Sequence, residues 1–127
     1  MTTLIICLLI AIILPYLAKM PLAIAQNNAG GYDNHYPREQ QVKLSGFGAR
    51  AYAAHQNSFE SLAVFATAAI TALATNHVTD RVVHLAVIYI VARLVYHCFY
   101  LMDLALLRST AWFVSYACCV AILWSCI

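Results

Sequence analysis

The chain has 127 residues, 64% of them hydrophobic and 9% charged, with a formal net charge of +2. A mean hydropathy of +0.78 excludes a soluble globular domain, whose surface needs far more charge. So small a positive excess also leaves no electrostatic footprint for nucleic acid.

Four apolar stretches follow one another, at roughly 3–25, 47–75, 81–102 and 109–127. At 1.5 Å per helical residue, each can cross a hydrocarbon core about 30 Å thick. Lipid leaves no backbone group unpaired, and the runs are continuous rather than alternating. The expectation is therefore a single all-α integral membrane domain over 1–127, a four-transmembrane-helix bundle.

Met1, Thr2 and Thr3 place no positive charge before the first apolar run, which is longer than a leader core and has Lys19 at its far end. It reads as the first membrane helix rather than a cleaved leader. Pro15 and Pro21 predict a kink within it. Residues 26–46, QNNAGGYDNHYPREQQVKLSG, are the one long hydrophilic segment, and Asn, Gly, Asp and Pro make its first half a turn-rich loop. Lys19, Arg38, Lys43 and Arg50 surround this connection, Arg108 closes the third, and Arg81 stands alone at the second. The positive-inside rule then puts the first and third connections in the cytoplasm and both termini outside.

The second span opens with RAYAAHQNSFE, residues 50–60, an unusual concentration of polar groups. Arg50, Ala53, Ala54, Asn57, Glu60 and Ser61 fall three and four apart, on one helical face. A charged side chain near the bilayer centre costs about 2.5–3.5 kcal/mol, so Glu60 is expected to face protein and to pair with Arg93 of the third span. Tyr89, Arg93, Tyr96 and Tyr100 share a face of that span. Arg108, Trp112, Ser115 and Cys119 repeat the spacing in the fourth. The short connections near TNHVTD and MDLALL predict that the second, third and fourth spans are sequential antiparallel neighbours. These stripes are open to two readings: a buried network that fixes helix register around an inert ion pair, or a site for a polar ligand. His55 and His97 read as packing or interface residues. Cys7, Cys98, Cys118, Cys119 and Cys126 lack metal or disulfide spacing and read as small buried hydrophobes. No metal site is expected.

RAYAAHQNSFE, followed in order by ARLVYHCFY and LRSTAWF, resembles the MAPEG family, the membrane-associated proteins in eicosanoid and glutathione metabolism. YPREQQVKLSGFGARAYAAHQNSFES is similar to its short bacterial branch, and the resemblance covers nearly the whole chain. It implies a homotrimer in a bacterial inner membrane, with glutathione held between subunits as thiol co-substrate and a lipophilic substrate arriving from the surrounding lipid. Carried over by position, Asn57 and Glu60 contact glutathione together with Tyr96, Tyr100 and Ser109. Arg108 stabilises the thiolate with Tyr100 assisting, and Arg93 supports the site. The expected cleft is lined by Arg50, Asn57, Glu60, Tyr96, Tyr100 and Arg108. The resemblance implies a glutathione-dependent transferase or peroxidase; the family also includes non-catalytic lipid-binding or scaffold members. Three departures stand out: Ala53 and the segment AIAQNN occupy positions where active relatives hold arginine, and Trp112 replaces a tyrosine. Arg50, Arg38 and Lys43 are the candidates to grip the ligand carboxylates instead.

Overall fold

The computed structural model describes all 127 residues and contains five helices: α1 (Thr2–Asn28), α2 (Pro37–Val42), α3 (Gly46–Ala74), α4 (Asp80–Leu101) and α5 (Ala105–Trp124). Helices α1, α3, α4 and α5 are each long and apolar enough to span a membrane. Their outward faces carry Ile, Leu, Val and Phe side chains that water would not tolerate in such numbers. Each span reverses direction, so α1 and α4 run one way and α3 and α5 the other. One end of the bundle holds both termini; the other, the loop end, holds connections 29–45 and 102–104.

Around the bundle the order is α1, α3, α5, α4, with α3 and α4 also touching across the short diagonal and α1 and α5 apart. The closest partnerships are α4 with α5 and α1 with α3. The second and third spans, expected as antiparallel neighbours, do meet, through a sparser contact than the third makes with the fourth. Ala51, Ala54, Ala68 and Ala72 of α3 are buried, and small residues of this kind let neighbouring helices approach closely.

The interior divides by height. In the half nearer the termini, Leu4, Cys7, Phe65, Ala69, Ala86, Ile90 and Ile122 belong to one buried apolar cluster, with the Phe65 and Tyr89 rings stacked at 4.0 Å. In the half nearer the loops, buried apolar residues such as Leu14, Leu22, Ala51 and Ala54 share the interior with the polar groups of Ser58, Arg93 and Tyr96. The buried polar side chains Gln26, Gln41, Ser58, Arg93 and Ser115 thus lie in the middle and loop half of the bundle and not among the cluster at the terminal end.

Helix ends explain two adjustments to the expected spans. Asn76 and Asp103 adopt left-handed backbone, with φ of 58° and 62°, closing α3 and α4. The next amides bond back into each helix, His77 to the Ala72 carbonyl and Leu104 to the Phe99 carbonyl, both at 2.9 Å. Because Asp103 turns the chain so tightly, α5 starts at Ala105 instead of about 109, and Arg108 and Ser109 fall inside its first turns. Helix α1 runs through both prolines as one element. His55 donates its Nδ1 proton to the Pro15 carbonyl at 2.9 Å, which ties α3 to α1 at that level.

The hydrophilic segment is more ordered than a loop. Gln26, fully buried at the end of α1, accepts from Lys19 Nζ at 2.9 Å and donates to Gln40 Oε1 at 3.0 Å and to the Pro37 carbonyl at 3.1 Å. Gln40 in turn donates to the Gly31 carbonyl at 2.7 Å. Asp33 Oδ1 accepts the amides of His35 and Tyr36, and these bonds hold its carboxyl below the usual carboxylate range.

Candidate binding site

Local helix spacing delivers the polar residues, and the packing of α3, α4 and α5 brings them together. Asn57 of α3, Tyr96 and Tyr100 of α4, and Arg108, Ser109 and Trp112 of α5 line one recess of about 240 Å³ near the loop end. The Arg108 guanidinium lies over the Tyr100 ring, 4.4 Å from its centroid. That ring makes an edge contact with Tyr96 at 5.5 Å, and Tyr96 lies under the Arg93 guanidinium at 4.2 Å. Two cation–π contacts thus fix the aromatic floor, each contributing on the order of 1 kcal/mol. Arg108 meets no carboxylate within the chain, so its charge remains available to a ligand; the one ion pair joins other residues.

A second recess of about 130 Å³ adjoins the first through shared Asn57 and Trp112, and is lined also by Glu60, Ser61, Ser115, Tyr116 and Cys119. Glu60 is 14 residues from both Gly46 and Ala74, the midpoint of α3, yet it is exposed on the bundle surface.

The expected Glu60–Arg93 ion pair is absent and is corrected to a bridge through Asn57. Arg93 Nη2 donates to Asn57 Oδ1 at 2.9 Å, and Asn57 Nδ2 donates to Glu60 Oε2 at 2.9 Å. The two charges therefore communicate across an amide whose orientation they set. The reversed amide would point its NH₂ at a guanidinium and its oxygen at a carboxylate. Arg93 is 1% exposed and its Nη1 has no partner. Sequence spacing placed both charges on facing stripes but could not register them, because one residue along a helix turns a side chain by about 100°.

Behind the recess a further network locks α3 to α4. His97 Nδ1 lies 2.7 Å from the Arg93 carbonyl, which can only accept, so the proton sits on Nδ1. Nε2 lies 2.6 Å from Ser58 Oγ, whose one proton is directed at the Ala54 carbonyl, 2.8 Å away. Tyr89 donates to the Ser61 carbonyl at 3.1 Å and receives the Ser61 hydroxyl at 2.8 Å. Ser61 belongs to the polar stripe legible in the sequence, whereas Ser58 gave no signal among the small residues of α3.

Arg50 does not line the recess. It turns instead to the α4–α5 connection, with Nη1 3.6 Å from Asp103 Oδ2. Arg38 and Lys43 are exposed on the hydrophilic segment. The cysteines are all free; Cys7, Cys118 and Cys119 are buried as expected, whereas Cys98 is exposed on α4 and Cys126 half-buried. No cluster of His, Cys, Asp or Glu has the makings of a metal site.

No curated protein and no solved structure gives a match to this chain. A family model does match, that of the MAPEG family, over residues 3–127. Four spanning helices packed as a bundle agree with that match along nearly its whole length. The chain is an integral membrane protein, and it belongs to the MAPEG family.

Proposed function

We propose that the protein is a glutathione-dependent membrane transferase or peroxidase acting on lipophilic electrophiles. Family membership supports a membrane function related to glutathione or eicosanoids in general terms. The observation that carries the finer reading is Arg108: a guanidinium without a carboxylate partner, steadied on Tyr100, in a recess with Asn57, Tyr96 and Ser109. A guanidinium stays charged at working pH and favours the ionised form of a neighbouring thiol, whose ordinary pKa is about 8.5. The charges fit a glutathione ligand: Arg108 for its thiolate and Glu60, in the adjoining recess, for its ammonium.

The thiolate sulfur attacks an electrophilic carbon; the C–S bond forms as the bond to the leaving atom breaks. The electron pair departs with that atom, which takes up a proton. In the peroxidase variant, two thiols reduce one hydroperoxide to an alcohol and water and are left as a disulfide. Tyr100 holds the guanidinium in place, and Arg93 acts through Asn57 as a positioning residue.

A second copy of the chain is part of this reading. Glu60 at mid-span and Gln56 one turn away are exposed where lipid would otherwise meet them. A charge so placed costs about 2.5–3.5 kcal/mol unless protein or ligand covers it. A homotrimer with the recess between neighbouring subunits meets that need. The second functional reading, a non-catalytic lipid-binding or scaffold protein, is favoured by Ala53, a methyl group where active relatives hold arginine.

The test is to add glutathione to the purified protein, read thiolate absorbance, and then measure turnover of a lipophilic electrophile. Arg108→Ala is expected to keep glutathione binding within a few-fold. It should lose the thiolate signal and about 10²–10³ in turnover, as when an electrostatic stabiliser is removed. Full conjugating activity in Arg108→Ala would sink the assigned role. Binding without thiolate or turnover in the unmodified protein would select the scaffold.

A further inference from the structure

We propose that Asp103 is an internal competitor for Arg50. In this view Arg50, which lies outside the recess about two helical turns from Asn57 toward the loop end, is an anion-gripping residue, and Asp103 occupies it until a ligand carboxylate takes its place. The proposal rests on the thiol-ligand reading above and names the group that would recognise the far end of that ligand.

Reach is the first argument. Arg50 lies seven residues before Asn57 on the same face of α3, about 10.5 Å nearer the loop end. Three extended residues span at most about 10–11 Å. A tripeptide-sized ligand anchored at Asn57 and Arg108 can therefore present a carboxylate at the level of Arg50.

Weak tethering is the second. Nη1 stands 3.6 Å from Asp103 Oδ2, and Nη2 reaches the Leu101 carbonyl at 3.5 Å. Both are at or beyond the outer limit of hydrogen bonding, whereas a committed arginine–carboxylate pair closes to about 2.7–2.9 Å. Arg50 Nε is buried and has no partner at all. The Asp103 side chain is 69% exposed, so the pair is mostly solvated and weak. An arginine with donors in reserve and a loosely held counter-ion is poised for exchange.

The third argument comes from comparing two turns. Asn76 and Asp103 end α3 and α4 with nearly the same backbone, φ of 58° and 62°. The turn at the terminal end uses a neutral amide; the turn beside Arg50 uses a carboxylate. Left-handed geometry accepts either residue, so the turn alone does not call for the negative charge. Its one charged neighbour within ion-pair distance is Arg50.

Calorimetric titration of the detergent-solubilised protein tests this with two probes, glutathione and its diethyl ester, in which both carboxylates are masked. Asp103→Asn keeps a residue suited to left-handed backbone and removes only the charge. It is expected to bind glutathione about two- to fivefold more tightly than the unmodified protein and the diester no more tightly. Arg50→Gln should weaken glutathione binding and, combined with Asp103→Asn, abolish the gain. If the unmodified protein binds glutathione and Asp103→Asn binds it no better, the competitor role is overturned while the thiol-ligand reading stands. A gain shared equally by the diester overturns it as well. If none of these proteins binds glutathione, the thiol-ligand reading falls and this proposal with it.

Discussion

Replacing Asn57 by alanine removes the bridge on which both intramembrane charges depend. Arg93 is almost fully buried, and its Nη1 already lacks a partner; Nη2 bonds the Asn57 side chain at 2.9 Å and the Asn57 carbonyl at a long 3.4 Å. Truncation leaves a buried guanidinium with only the long backbone bond and the Tyr96 face. A hydrogen bond to a charged group contributes about 1.5–3 kcal/mol. The Asn57–Glu60 bond, at the surface, adds less, so the sum is about 2–4 kcal/mol. That is roughly a 30- to 700-fold shift in the folding equilibrium. Reversible denaturant unfolding in mixed micelles, followed by tryptophan fluorescence, provides the measurement. The sharper test is the double variant. Arg93→Met removes the charge that Asn57→Ala orphans, and an apolar replacement of a buried charge is often nearly neutral. Asn57→Ala/Arg93→Met is therefore expected to be more stable than Asn57→Ala alone. An Asn57→Ala protein within about 0.5 kcal/mol of the parent, or strictly additive single effects, would refute the bridge.

Two further outcomes follow from the packing and the hydrophilic segment. A Cβ at Gly48 would lie 3.0 Å from the Leu44 Cβ and 3.3 Å from the Ala25 Cβ. The latter is fixed to the α1 backbone, so Gly48→Ala should destabilise by about 1–3 kcal/mol, seen as a lower unfolding midpoint; an unchanged midpoint would show that α1 yields freely. The depressed Asp33 carboxyl contributes its order fully above the unfolded value of about 3.9 and loses it as pH falls through the lower folded value. Proteolysis of segment 29–36 by an acid-active protease should accelerate only in that acid range, and a neutral protease should cleave Asp33→Asn faster than the parent at neutral pH.

The class of the protein was legible in its sequence because lipid imposes a one-dimensional requirement: enough consecutive apolar residues, with every backbone group satisfied within its own helix. The same simplicity made the site partly readable. Asn57 and Glu60 fall on one face of α3, Tyr96 and Tyr100 on one face of α4, and intramembrane polar groups of this kind invite a functional explanation. Periodicity could not say how the stripes meet. Asn57 had to be found between Arg93 and Glu60, and Arg50 had to be found at Asp103 instead of in the recess. Gln26 shows the same limit: in the string AIAQNN it marks a missing arginine, yet in the fold it is the buried hub that pins α2 to α1.

Residue order alone was enough for a four-span membrane protein of this family, its helical faces, and the polar residue types gathered on them. Which helices are neighbours, where the buried polar side chains gather, and which charges are partnered emerge from the packed bundle alone. The physical reason is range. Helix formation in lipid and the direction of a side chain follow from residues a few positions apart. The partner of a buried charge depends on the rotation and height of one helix against another, and those are set by packing along the whole length of both.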